Sequence, residues 1–218
     1  MADRPIIMTG DSVRGILAGR KTQTRRVIKD EFLQSLPFEN LSPIMNSPPH
    51  CHANGVWFYE LQSEVDATEH IKIKCPYGVV GDRLWCKETF SFDHKEFYPN
   101  FPIVYKAEGY PEDWIIENGK IYSNEQKKWY PFRWKSPLFM FKKYARIWLE
   151  ITGIRVERVQ DISFDDCRAE GIDKWRSDDC INRVHCLWDS INAKRGYGWD
   201  KNVWVWVIEF RKAQDGRV

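Results

Sequence analysis

Arg20, Lys21, Arg25 and Arg26 stand beside Thr22 and Thr24 within residues 18–27, directly after an apolar helical pattern. Guanidinium forks, an ammonium and hydroxyls are the donors that suit phosphate oxygens, so one chemistry for this turn is a phosphate clamp. The same cations would also serve as a solvated turn that complements the C-terminal end of a helix. A third chemistry is nucleophilic. Lys21 and Thr24 are three apart and face opposite ways on a straight strand, so they meet only if Lys21-Thr22-Gln23 turns. Should they meet, Arg20, Arg25 and Arg26 disfavour a charged lysine and lower its pKa, which lets Lys21 act as a base toward a Thr24 nucleophile. A carboxylate is then needed to orient the lysine or to pass a proton to a leaving amine.

The elements that must position this turn are short. Val13, Ile16 and Leu17 recur at helical spacing, Asp11 can cap the N-terminus and Gly19 suits the residue past the end, which predicts a helix over about 11–18. Ser163 and Asp166 make an S-x-x-D capping pattern with Ile162 and Cys167 as a hydrophobic staple, so a helix starts at 164 and stops at Gly171, its last residue being Glu170. A further helix over about 179–194 carries Ile181, Val184, Trp188 and Ile191 on one side. "GDRLWCKETF" and "YARIWLEITGIRVERVQDI" read as strands, the second with Ile147, Leu149 and Ile151 on one face. "NVWVWVIEF" reads as a strand covered on both faces, with Trp204 and Trp206 packed against helices on one side. Residues 31–74, rich in Pro, Ser and Asn, and 91–135 read as excursions with weak strands at most.

The 218-residue chain has room for one sizeable core and is cramped for two. Its 43% hydrophobic and 29% charged residues describe a soluble globular protein with no membrane partner, and a net charge of +2 leaves any case for nucleic acid to local clusters. Nothing at the N-terminus resembles an export signal, so a cytoplasmic location is expected, with the six cysteines reduced. Short strands around brief helices predict an α+β fold built on a small, partly closed β-barrel.

"ILAGRKTQTRR", "GDRLWCKETF", "ISFDDCRAEGI" and "WVWVIEF" together resemble the ASCH domain, a PUA-like β-barrel family linked to RNA. "CPYG" and "LWDSINAKRGYGWD" make the chain similar to the longer ASCH proteins of phages and prophages. The resemblance implies a single domain over residues 1–218 with flanking short helices and two insertions, at about 31–74 and 93–140. Bacterial cytoplasm is the implied compartment. Some minimal members are amidohydrolases that remove the acetyl group of N4-acetylcytidine with a lysine, a threonine and a glutamate. Their motif falls on Lys21, Thr24 and Glu170, which implies a base, a nucleophile and a proton shuttle, with no cofactor or metal required. Arg25 and Arg26 depart from the minimal pattern, where an apolar residue can precede the arginine. RNA or a modified nucleoside is the implied partner. A non-catalytic RNA-binding module and a ribonuclease are the rival readings, with a phage accessory protein that docks a host partner behind them.

Other residues carry weaker signals. Arg83, Lys87 and Glu88 would line the same barrel mouth, against the simpler expectation that a lone strand glutamate is solvated. Lys135, Ser136 and Arg146 flank "KSPLFMFKKYAR", a segment suited to substrate or RNA or else an ordinary loop. Trp199, beside the "RGYGWD" turn, would be an exposed platform for a base, or a loop aromatic covering a core edge. His50, Cys51 and His52, and Cys180 with His185 and Cys186, lack the spacing of a zinc site, because no C-x-x-C pair is present and positions 180, 185 and 186 do not share a helical face.

Overall fold

The computed structural model describes residues 1–30, 34, 56–61, 69–91, 103–110, 115–123, 127–172 and 177–213. The chain is mixed α+β. In order it forms β1 (Asp3–Ile7), α1 (Gly10–Leu17), β2 (Gln23–Val27), β3 (Val56–Leu61), β4 (Glu69–Lys74), β5 (Arg83–Lys87), β6 (Phe90–Ser91) and β7 (Val104–Tyr105). There follow β8 (Ile115–Glu117), β9 (Lys120–Ser123), β10 (Lys128–Pro131), β11 (Trp148–Arg158), α2 (Phe164–Ala169), α3 (Ser177–Asn192) and β12 (Trp204–Lys212).

Five strands build the central sheet in the order β1-β5-β11-β12-β2, antiparallel except for the β1–β5 pair. The alternation of β12 explains its central place. Trp204, Trp206, Ile208 and Phe210 join Ile6, Leu84, Leu149 and Ile151 with Val13 and Ile16 of α1 in one core. Val205 and Val207 point the other way, toward Trp188 of α3. A run of successive apolar residues such as Trp204–Ile208 must be covered on both faces, and this one is.

The expected barrel is not closed by its backbone. Among the described residues the sheet is open, with β1 and β2 as its two edges. It curls enough for Arg26 Nη2 on β2 to donate to the Ile7 carbonyl of β1 at 2.6 Å and to meet Met8 Sδ at 3.4 Å. A bulge between Ile151 and Gly153 helps, because an extra residue on one strand bends and twists the pair.

The helices follow their capping signals with local differences. Thr9 rather than Asp11 caps α1, its hydroxyl accepting from Ser12 N at 3.2 Å, while Asp11 pairs with Arg14. Gly19 takes φ +70, as the turn demands. On α3 the buried stripe is Cys180, Val184 and Trp188, and Ile191 is exposed because it lies one position beside that stripe. The segments read as excursions hold the β3–β4 hairpin, the short β6–β7 pair and the three-stranded β8–β10 sheet. Among the described residues no helix is long and apolar enough to cross a membrane.

Candidate functional site

The basic turn is tied down at both ends. Arg20 N and Lys21 N donate to the Gly15 carbonyl near the end of α1, at 2.9 and 3.1 Å. Lys21 then bridges to Glu170 in antiparallel fashion, with Thr22 N donating to Ala169 O at 2.8 Å and Phe210 N to Thr22 O at 2.8 Å. Glycines flank the lysine stem. A Cβ on Gly15 would lie 3.1 Å from Lys21 Cβ, and one on Gly171 would lie 3.0 Å from it.

Glu170 is placed by α2. Ser163 accepts from Asp166 N at 3.1 Å and Asp166 accepts from Ser163 N at 3.1 Å, a reciprocal capping box that fixes the start of the helix. Glu170 caps the other end, and Gly171 at φ +86 turns the chain away. The start at Phe164 agrees with the sequence reading, whereas the last helical residue is Ala169 and Glu170 is its cap.

Lys21 is only 6% exposed, and its Nζ donates to the Glu170 carboxylate and, at 2.9 Å, to the Glu170 carbonyl. Burial is the largest influence on this lysine and pushes its pKa below the ordinary value. The charge and hydrogen bond of Glu170 oppose that shift, while Arg26 and then Arg25 add to it. Arg20 lies exposed, so its charge is spent in solvent.

Strand parity decides the other partners. Gln23 and Arg25 face α2, Gln23 donating to Asp166 at 3.0 Å and Arg25 meeting Glu157, Asp166 at 3.2 Å and Glu170 at 3.5 Å. Arg155 extends the network to Glu157, Asp166 and Glu209. Burial works to raise the Asp166 pKa, but bonds from Ser163 and the charges of Arg25 and Arg155 outweigh it and hold the carboxyl below its ordinary value. Thr24 and Arg26 point to the opposite face, paired with Ile208 and Trp206.

The structure thus brings Lys21 and Glu170 together and places Thr24, 5% exposed, on the neighbouring strand. Thr24 Oγ1 is hydrogen-bonded to neither of them among the described residues. Arg25 Nε and Arg26 Nε are buried donors without a hydrogen-bond partner among the described residues. An open cleft of about 500 Å³ lies against the same turn, lined by Gly19, Arg20, Thr22, Asp165, Arg168 and Gly171. Arg168 was not among the residues singled out from the sequence, although its place in the last turn of α2, two before Glu170, is the signal that finds it.

The remaining candidates sit elsewhere. Arg83 bonds Asp3 on β1 at 2.9 Å and lines a different cleft, with Tyr105 and Arg146. Lys87 Nζ donates to the Leu138 carbonyl at 2.7 Å. Glu88 is not solvated: it is 1% exposed and takes a bidentate pair from Arg146, at 2.8 and 2.9 Å. Trp199 is partly buried between two core clusters, with its ring stacked on His185 at 5.1 Å, so it is not a free platform. Cys180 belongs to the core, and Cys86, Cys167, Cys180 and Cys186 are free thiols. His50, Cys51 and His52 lie outside the described residues. No group of three His, Cys, Asp or Glu side chains among the described residues is placed to hold a metal ion.

No family model, no curated protein and no solved structure matches the chain.

Proposed function

We propose that the chain is an ASCH-type, PUA-like protein that recognises a nucleobase and hydrolyses the amide of an N4-acetylcytidine-like nucleoside at Lys21, Thr24 and Glu170. The observation that carries this reading is a buried lysine with a depressed pKa held against a carboxylate, three residues before a buried threonine on the following strand. Burial makes the proton of this lysine easier to remove, which is the direction a general base requires.

In the proposed step Lys21 Nζ, having passed a proton to Glu170, takes the Thr24 hydroxyl proton as Oγ1 bonds to the acetyl carbon. The carbon–nitrogen bond breaks and Glu170 returns its proton to the cytosine amine, which leaves neutral. Water then adds to the acetyl-threonine ester and releases acetate and the free hydroxyl. Arg26 Nε, a buried donor without a hydrogen-bond partner among the described residues, shares the Thr24 face of β2 and is the candidate donor to the developing oxyanion. Thr24 lies on the face of β2 opposite Arg25 and Glu170, so the proposed step requires substrate binding to reorient Thr24 toward Lys21.

A non-catalytic RNA-binding reading has its own support in the open cleft of Arg20, Thr22 and Arg168, donors that suit a phosphate. Incubation with N4-acetylcytidine and chromatography of the products separates the two. Released cytidine and acetate support hydrolysis. Salt-sensitive RNA binding without any turnover supports the rival.

A further inference from the structure

The segment Leu138–Phe141 exposes apolar rings that the fold holds in place. Leu138, Phe139 and Phe141 are 65%, 70% and 67% exposed, yet Met140 between them is 2% exposed and receives the Glu88 N–H at 3.3 Å. Ser136 caps the turn at Leu138 N, Lys87 grips the Leu138 carbonyl, and Phe90 and Lys135 exchange backbone hydrogen bonds just before it. The buried Met140 holds Leu138, Phe139 and Phe141 outward, and large apolar side chains kept exposed together mark a candidate binding surface.

The chain runs from this ridge directly into a cleft of about 1120 Å³ lined by Arg83, Lys142, Lys143, Arg146, Tyr105 and Trp148. Cations and rings are interleaved there. Arg83 and Lys142 lie over the Trp148 ring at 5.1 and 5.4 Å, Lys143 over Tyr144 at 4.9 Å and Arg146 over Tyr105 at 4.0 Å. Acidic groups also face the cleft. Asp3 bonds Arg83 and Lys142, and Glu88 and Glu108 hold Arg146, so these carboxylates order the cations, while Lys143 meets none among the described residues.

We propose that the ridge and cleft bind a single-stranded polynucleotide, with phosphates along Arg83, Lys142 and Lys143 and bases stacked on Phe139 and Phe141. Cationic grooves beside accessible rings hold single strands, whose unstacked bases offer flat faces to aromatic side chains. A duplex hides those faces. The inference stands on this patch alone, on β1, β5 and the segment before β11, and is independent of any chemistry at Lys21.

Fluorescence anisotropy with labelled oligouridine and oligothymidine of about ten nucleotides, within the usual site size, tests it. Both strands binding alike assigns recognition to backbone and base faces, and tighter binding of oligouridine adds the 2′-hydroxyl. Phe139→Ala with Phe141→Ala weakens binding by about tenfold or more. Lys142→Gln with Lys143→Gln reduces the slope of log K against log salt by about 1.4, two contacts at about 0.7 each. All four positions are at the surface, and unchanged melting of the variants confirms their fold. Wild-type protein that binds neither strand, or variants that bind as the wild type does, overturns the proposal and leaves the ridge to a protein partner. Turnover of free N4-acetylcytidine is read separately, so failure of one reading does not imply failure of the other.

Discussion

Glu170→Gln isolates the contact on which the site depends, since it keeps the shape of the side chain and removes its charge. The Lys21 and Glu170 side chains are only 5% and 12% exposed, so the substitution leaves a buried ammonium without its carboxylate. Removing one partner of a buried pair costs about 3–5 kcal/mol. A second route to the magnitude agrees. If Lys21 escapes by giving up its proton, keeping it neutral at pH 7 costs about 1.36 kcal/mol for each unit below its ordinary value of 10.5, or about 4.8 kcal/mol. The sign of the pH dependence follows. A lysine whose folded pKa lies below its unfolded one binds more protons when unfolded, so stability rises with pH from the folded pKa up to 10.5. Glu170 holds the folded pKa up, so its loss widens that window downward. Urea denaturation of both proteins at several pH values from 7 to 10 is the assay, and their difference removes the opposing effects of thiols such as Cys167, whose pKa burial raises to about 12. The deficit of the variant shrinks with rising pH, by up to about 1.36 kcal/mol per unit, only between the folded pKa of Lys21 in the variant and that in the wild type. A deficit below about 1 kcal/mol, the range of an exposed pair, would refute the buried, charge-coupled lysine.

Three further substitutions test the scaffold. Ser163→Ala removes the capping box of α2 and should cost about 0.5–2 kcal/mol in urea denaturation. Gly171→Ala forces a Cβ at φ +86 to within 3.0 Å of the Lys21 stem, and should lower stability by at least about 1–2 kcal/mol, read from the same curves. Glu88→Gln breaks a bidentate pair that is buried on the carboxylate side and should lower the melting temperature, whereas a solvated strand glutamate would leave it unchanged.

What the sequence revealed was local. The Ser163–Asp166 box, Gly19 and Gly171 sit within a few residues of the structures they set, so α2 was legible, with Glu170 one position past its last residue rather than at it. The continuous apolar run Trp204–Ile208 of β12 likewise announced two covered faces. Longer-range features were not legible. The partner of Glu88 is Arg146, 58 residues away, and no pattern near Glu88 distinguishes a buried carboxylate from a solvated one. The open edge between β1 and β2, spanned by an arginine rather than a ladder, depends on how far the sheet curls, which alternation does not encode. Trp199 had a loop sequence, but its cover is His185 on α3, and only tertiary packing puts that ring there. For Lys21 and Thr24 the parity objection was sound: the lysine meets Glu170, and Thr24 follows the strand to the other face.

The most direct test of the central claim is the rate of cytidine release from N4-acetylcytidine by the wild type, Thr24→Ser, Thr24→Ala and Lys21→Ala, each checked for folding. The account predicts turnover by the wild type, reduced turnover by the serine variant, which keeps a hydroxyl, and none by either alanine variant. Wild-type protein that releases no cytidine, or a Thr24→Ala variant as fast as the wild type, would contradict it.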